Sequence, residues 1–164
     1  MASGQTLAIF VPLHNEPPAT VYATLDTRNN VPCLDFDADA DESAVFSDVL
    51  PRNYAGGGIT VYLIFAASSD TNAAHKCRWD VSIERGNTDI DADSFEAVQS
   101  VTGNPNGTSG ITTTVSIAFT DGAQIDSLAV GERFRVKVTR DANHVSEDDM
   151  TGDAELYAVE IKET

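Results

Sequence analysis

Cys77-Arg78-Trp79-Asp80-Val81-Ser82-Ile83 decides the fold. Cys77, Trp79, Val81 and Ile83 fall on one side of an extended chain, and Arg78, Asp80 and Ser82 on the other. That period of two is the signature of a strand with one face in a core and one in water. It also places Trp79 in the core rather than on a ligand platform. Residues 113–119 repeat the pattern through Val115, Ile117 and Phe119, and residues 134–138 through Phe134, Val136 and Val138 against Arg135 and Lys137. Residues 59–67 are almost continuously apolar, as in a strand buried on both faces or nearly so. Shorter β-rich pieces lie at 7–11, 20–25 (around Val21, Ala23 and Leu25), 33–36, 44–49 and 156–161. In the last, the inward set is either Leu156 and Ala158 or Tyr157, Val159 and Ile161, and the second fits better.

Turn residues separate these pieces: Asn29-Asn30, Ala55-Gly56-Gly57-Gly58, Asp121-Gly122 and Thr151-Gly152-Asp153. Asp93-Ser94-Phe95-Glu96 resembles a helix-capping box, but so short a helix is weak unless packed. The favoured reading there is a hairpin, with Phe95, Ala97 and Val101 alternating before the turn cluster at 103–110. Residues 125–128, ahead of Gly131, read as one helical turn. The expected fold is all-β, an antiparallel β-sandwich of jelly-roll type with roughly 8–10 strands and little or no helix.

The chain has 164 residues, the size of a single domain. Residues 1–34 read as an N-terminal strand or arm region continuous with that domain, and residues 35–164 as the sandwich proper. With 10 Lys and Arg against 26 Asp and Glu, the formal charge is −16. A hydrophobic fraction of 41% excludes a disordered acidic tail. The charge argues against nucleic-acid partners, which are bound by neutralising phosphates, and against anionic membrane surfaces. No signal peptide is readable in the first residues, and no apolar run has the length of a membrane span. Cys33 and Cys77 lie outside any CxxC pair and read as buried free thiols rather than a disulfide.

The candidate chemistry is thin. Asp37, Asp39 and Asp41 alternate like the start of a calcium loop, with Asp48 at the twelfth position. Glu42 stands where the sharp turn needs glycine, and Asp48 is shorter than the usual bidentate glutamate. A solvated acidic loop is the better account, and the same holds for Asp89, Asp91 and Asp93. Convergence of the two loops on one cation is the version that would matter. His14, His75 and His144 read as exposed loop residues, with no nucleophile elbow and no phosphate-cradling glycine loop nearby. The chain is expected to have no catalytic, cofactor-binding or metal residues and not to be an enzyme. Tyr22, Tyr54, Tyr62 and Tyr157 join Trp79 as aromatics able to stack on sugars. Tyr54 is the one whose context is unlike a core, and it reads as packing over a sandwich edge or in a subunit contact. Arg52, Lys76 and Arg140 sit near strand ends, where charge protects edges from pairing.

Several blocks together carry a resemblance. They are Pro51-Arg52-Asn53-Tyr54-Ala55-Gly56-Gly57-Gly58-Ile59-Thr60-Val61, Trp79-Asp80-Val81-Ser82-Ile83-Glu84-Arg85, Gly131-Glu132-Arg133-Phe134-Arg135-Val136, and Met150-Thr151-Gly152-Asp153-Ala154-Glu155-Leu156. Over residues 35–164 the chain resembles small jelly-roll virion proteins of tailed bacteriophages. The resemblance implies a non-enzymatic structural protein. It would be a capsid decoration (cement) protein on the head exterior, assembled in the host cytoplasm. Its partners would be the major capsid protein or other virion proteins, and it would act as a homotrimer. The contact elements expected are residues 7–13 and 51–58. The alternative reading is a carbohydrate- or receptor-binding β-sandwich module of a tail fibre.

Overall fold

The computed structural model describes residues 4–86 and 89–164. Two antiparallel sheets pack face to face as a jelly-roll β-sandwich. The strands are β1 (Thr6–Phe10), β2 (Thr24–Arg28), β3 (Val31–Phe36), β4 (Ser43–Val49), β5 (Ile59–Ala67), β6 (Cys77–Arg85), β7 (Gln99–Gly103), β8 (Thr113–Phe119), β9 (Arg133–Arg140) and β10 (Ala154–Glu163). Helix among the described residues is confined to single 3-10 turns at Pro12–His14, Ile90–Ala92 and Ala123–Ile125.

The smaller sheet runs β4-β9-β6-β7. The larger runs β2-β3-β10-β5-β8, with β1 also paired to β10. One edge of β10 faces β5 along its whole length. The other edge is shared, with Ala154 to Leu156 against β3 and Val159 to Lys162 against β1. The register slips where β3 gives way to β1. Leu156 opposes Phe65 and Ala158 opposes Ile64, so Tyr157 is the extra residue of a bulge. Leu156 therefore points inward before the bulge and Val159 and Ile161 after it. Of the three residues expected inside, Tyr157 is turned outward.

Alternation supplies the core. β5 contributes Ile59, Val61, Leu63 and Phe65, β6 contributes Trp79, Val81 and Ile83, and β9 contributes Phe134, Val136 and Val138. Trp79 is fully buried and meets Phe36 and Phe65 edge-on, at 5.0 and 5.3 Å between ring centroids. Such pairs add about 0.5–1.5 kcal/mol each beyond area burial. The outer residues of β5 (Thr60, Tyr62 and Ile64) are half-buried, so this strand is less enclosed than its composition implies.

Three local expectations are corrected. β7 pairs with β6 and not with β8, so residues 104–112 carry the chain from the smaller sheet to the larger rather than closing a hairpin. β7 passes close over β8 of the other sheet because residue 103 is glycine, where a Cβ would stand 2.4 Å from Val115 Cγ1. A side chain there would block the close approach of β7 to the other sheet. The segment at 20–25 joins a strand only from Thr24, with Tyr22 in an isolated bridge to Ser43. Val21 adopts φ +53, which a β-branched residue resists, and is held there because its carbonyl accepts from Ser43 N while Ala23 N donates to Ser43 O. Arg140 is not an exposed edge guard. It is fully buried, donating to the carbonyls of Phe36, Met150 and Gly152 and to both carboxylate oxygens of Asp148. Cys33 and Cys77 are free, buried thiols.

Candidate functional site

The outer face of the larger sheet carries two aromatics that the core does not use, Tyr62 and Tyr157. On β5 the side-chain alternation that buries Val61, Leu63 and Phe65 turns Tyr62 and Ile64 outward. Tyr62 stands between Glu160 on β10 and Ser116 on β8, and Ile64 between Ala158 and Thr114. The bulge brings Tyr157 to the same face. Tyr157 lies three residues along β10 from the partner of Tyr62, a separation of about 10 Å at the rise of a strand. Both rings are half-buried.

A polar cluster borders Tyr157. Its hydroxyl donates to Glu155 Oε2 at 2.9 Å, and Arg28 Nη1 donates to the same oxygen at 3.0 Å. Arg28 reaches there from β2 and also donates to the carbonyls of Ala67 and Ser68 and to Ser109 Oγ. Asp35 lies directly opposite Glu155 across the β3–β10 pairing, and Cys33 Sγ donates to Asp35 Oδ1 at 3.7 Å. Burial, then the negative charges of Glu155 and Asp26, push the Asp35 carboxyl up to about 6. Burial, then the negative charges of Asp35 and Glu155, hold the Cys33 thiol up at about 12. Burial and the hydrogen bond to Glu155 also raise Tyr157. At neutral pH this face therefore offers a neutral phenol and a guanidinium beside carboxylate acceptors, with the Cys33 thiol buried beneath.

Cys33, Asp35 and Glu155 are the one set of thiol and carboxylate groups, among the described residues, whose ligand atoms lie within 4.8 Å of one another. Within the set, Arg28 already neutralises Glu155 and the Cys33 thiol donates to Asp35. Asp37, Asp39 and Asp41 form no such set. Asp37 accepts from Asp39 N, and Asp41 accepts from Asn143 N and Nδ2. The two Asp-rich loops cannot share a cation. The first lies beside the start of β6, where Ser43 and Asp80 both pair with Thr139, while Asp89 to Asp93 follow its far end.

Other polar groups were invisible in sequence. Asp70 is buried and accepts from His75 Nδ1 at 2.6 Å, from Asn72 N, and from Thr151 N and Oγ1. Burial opposes its charge, but these hydrogen bonds prevail and take it down to about 2, while His75 is raised by its bond to Asp70. His75 is therefore a paired residue and not a free loop histidine. Glu84, pairing with Arg135 at 2.6 Å, is another buried carboxylate. Tyr54 is buried at the end of the sandwich, its hydroxyl donating to Asp121 Oδ1 and accepting from Gly58 N. Tyr22 is half-exposed beside Leu13, Pro17 and Leu25, which line an open apolar groove next to edge strand β2.

No family model and no curated protein sequence matches this chain. Solved structures do match in fold. A xylan-binding module, CBM15, superposes with a TM-score of 0.52 at 10% identity, over 96% of this chain and 97% of its own. The C-terminal CBM6 of a marine laminarinase, LamC, from Zobellia galactanivorans gives 0.53 at 9% identity, over 95% and 98%. The CBM22-2 xylan-binding domain of Xyn10C from Paenibacillus barcinonensis gives 0.51 at 15% identity, over 92% of each. Nothing in these likenesses ties the chain to bacteriophage virion proteins, and at such identities they speak to architecture alone. The protein has the jelly-roll β-sandwich fold that these carbohydrate-binding modules share.

Proposed function

We propose that this protein is a non-catalytic carbohydrate-binding module that holds an uncharged glycan across the outer face of its larger sheet. The observation that carries this reading is the pair Tyr62 and Tyr157, fixed on rigid strands about 10 Å apart, the span of a disaccharide. Sugars are recognised by laying their apolar ring faces on aromatic rings while hydroxyls meet polar groups. Ser116, Thr114, Glu160, Asp35 and Arg28 surround the two tyrosines with donors and acceptors. An anionic glycan is disfavoured by the formal charge of −16 and by the carboxylates on this face. The shared fold with xylan-binding modules makes xylan a sensible first probe, with laminarin and cellulose beside it. Retardation in gels containing each polysaccharide tests the reading. Wild type is expected to be slowed by at least one, and Y62A/Y157A to lose about ten-fold in affinity, the loss of roughly 1.4 kcal/mol of stacking. Migration unchanged by every neutral polysaccharide, or unchanged between wild type and the double variant, refutes it.

A second reading has its own observation. Leu13, Tyr22 and Leu25 are 68%, 48% and 53% exposed around one groove beside an unpaired sheet edge. Contiguous exposed apolar surface of this kind marks contact sites. It supports a structural role in a virion, as a decoration protein or a tail-fibre module, with capsid or sibling subunits as partners. Under that reading the purified chain forms trimers at micromolar concentration, and L13D/L25D abolishes both trimers and capsid attachment. A monomer with no affinity for capsids removes it.

A further inference from the structure

An open strand edge is a template for pairing, and proteins normally cover it or blunt it. This chain covers the edge at β4, where Val45 N donates to Asn15 Oδ1 and Glu16 N donates to Val45 O. On the other side of the sandwich β7 and β8 close on one another where Gly103 meets Val115. β2 has no such cover. Thr24 to Thr27 are exposed and Arg28 is half-buried. Around them Leu13, Tyr22, Leu25 and Val31 also face solvent.

The edge also specifies a partner. Thr27 lies opposite Pro32, which has no N–H to give, and Thr27 N turns instead to Asp26 Oδ1. By the alternation of an antiparallel ladder, the backbone groups of Leu25 and Thr27 point away from β3. A second β2, running antiparallel about a two-fold axis, can meet them in three registers. An axis at Asp26 sets two like charges face to face, which is destabilising. An axis at Leu25 needs the Ala23 N–H, already given to Ser43 O. An axis at Thr27 avoids both faults. It sets each Asp26 opposite Arg28 of the second copy, and Arg28 keeps 34% of its side chain exposed while its tip holds Glu155. Leu13 shares a hollow with Leu25, Thr27 and Pro32, so the same axis brings both copies of Leu13 to one side of the joined strands.

We propose that β2 pairs with β2 of a second copy about Thr27, joining the two larger sheets edge to edge in an isologous dimer. Each larger sheet is five lanes wide along β2-β3-β10-β5-β8, because β1 shares the lane of β3. The joined sheet then stays within the width that twisted sheets reach, about ten strands. Its outer face is continuous. The two copies of Tyr157 stand five strand spacings apart across it, roughly 24 Å. One long polysaccharide can therefore lie on both tyrosine pairs, and the second contact is made at high effective concentration. That consequence rests on the sugar-binding reading above, but the pairing does not.

The test is sedimentation velocity on the intact chain, from low to several hundred micromolar. Salt at about 0.15 M limits repulsion between copies of charge −16 to about 8 Å. Monomer is expected to give way to dimer as concentration rises. T27P removes an N–H that β3 does not use, a position where an edge strand tolerates proline, and should stay monomeric. L13D serves if T27P does not fold. T27C should cross-link on oxidation, since the axis holds the two positions about 5.5 Å apart. L25C, about 14 Å from its mate in this register, should not. A monomer at every concentration, a trimer, or a dimer untouched by both T27P and L13D overturns the proposal. So does failure of T27C to cross-link, or cross-linking of L25C as readily as T27C. Against a xylan gel T27P should lose about ten-fold in apparent affinity, and against a disaccharide none. A dimer that binds no glycan sinks the sheet-face reading alone, and a monomer that binds one sinks the pairing alone.

Discussion

Replacing Arg140 by Met probes what holds one end of the sandwich together. The guanidinium and Asp148 are 0% and 2% exposed. It donates five hydrogen bonds, two to the Asp148 carboxylate and one each to the carbonyls of Phe36, Met150 and Gly152. Methionine fills much of the volume but leaves a buried carboxylate without its cation and three carbonyls without this donor. Removing one partner of a buried pair costs roughly 3–5 kcal/mol, mostly through the charge left behind. At about 4 kcal/mol, and roughly 2–4 °C per kcal/mol for a chain of this length, R140M lowers Tm by roughly 8–16 °C. The loss should be the same in low and high salt, because a pair out of contact with water is not screened. R140K should fall between the two, since one ammonium cannot span the same oxygens. Urea unfolding followed by fluorescence measures this directly, as Trp79 is the single tryptophan and is fully buried. R140M/D148N should be more stable than R140M, because it removes the stranded charge. A loss below about 1 kcal/mol in R140M, or one that shrinks with salt, refutes the reasoning.

Three further outcomes follow from the buried polar groups. The stability that Asp70 contributes through its lowered carboxyl is present above about pH 4 and lost as pH falls through about 2. That of the raised His75 is present below about pH 6.5 and lost as pH rises through its folded value. H75A should therefore cost most between about pH 4 and 6.5 and less at pH 9, read as the shift in urea midpoint; a cost that grows with pH contradicts the pairing. Asp35 is raised to about 6, so the folded state binds its proton more tightly and stability drops as pH rises from about 4 to 6. D35N should then raise Tm at pH 8 and leave it unchanged at pH 4, and equal Tm values for D35N and wild type at pH 8 would count against this. Cys33 and Cys77 are buried with raised thiols, so a maleimide should label neither in the native protein and both in urea; fast native labelling of either would show that site open.

Much of this protein was legible in one dimension. Alternation is a property of neighbouring residues, so Trp79, Val81 and Ile83 announced a core face, and recurring strands with turn residues between them announced a sandwich. The excess of Asp and Glu likewise announced an acidic exterior. What the chain order left open depends on partners distant in sequence. Tyr157 faces outward only because β3 and β1 share one edge of β10, and the bulge between them reverses the side on which the next residues fall. Arg140 reads like any surface charge until Phe36, Asp148 and Gly152 surround it. Asp70 reads like a loop residue until Thr151, 81 positions away, closes over it. Tyr54 reads like a loop aromatic until residues 121–130, more than sixty positions away, meet it at one end of the sheets. Local periodicity therefore determined the layers of this molecule, while the faces and pockets able to bind anything were decided by long-range register and by which buried charges found partners.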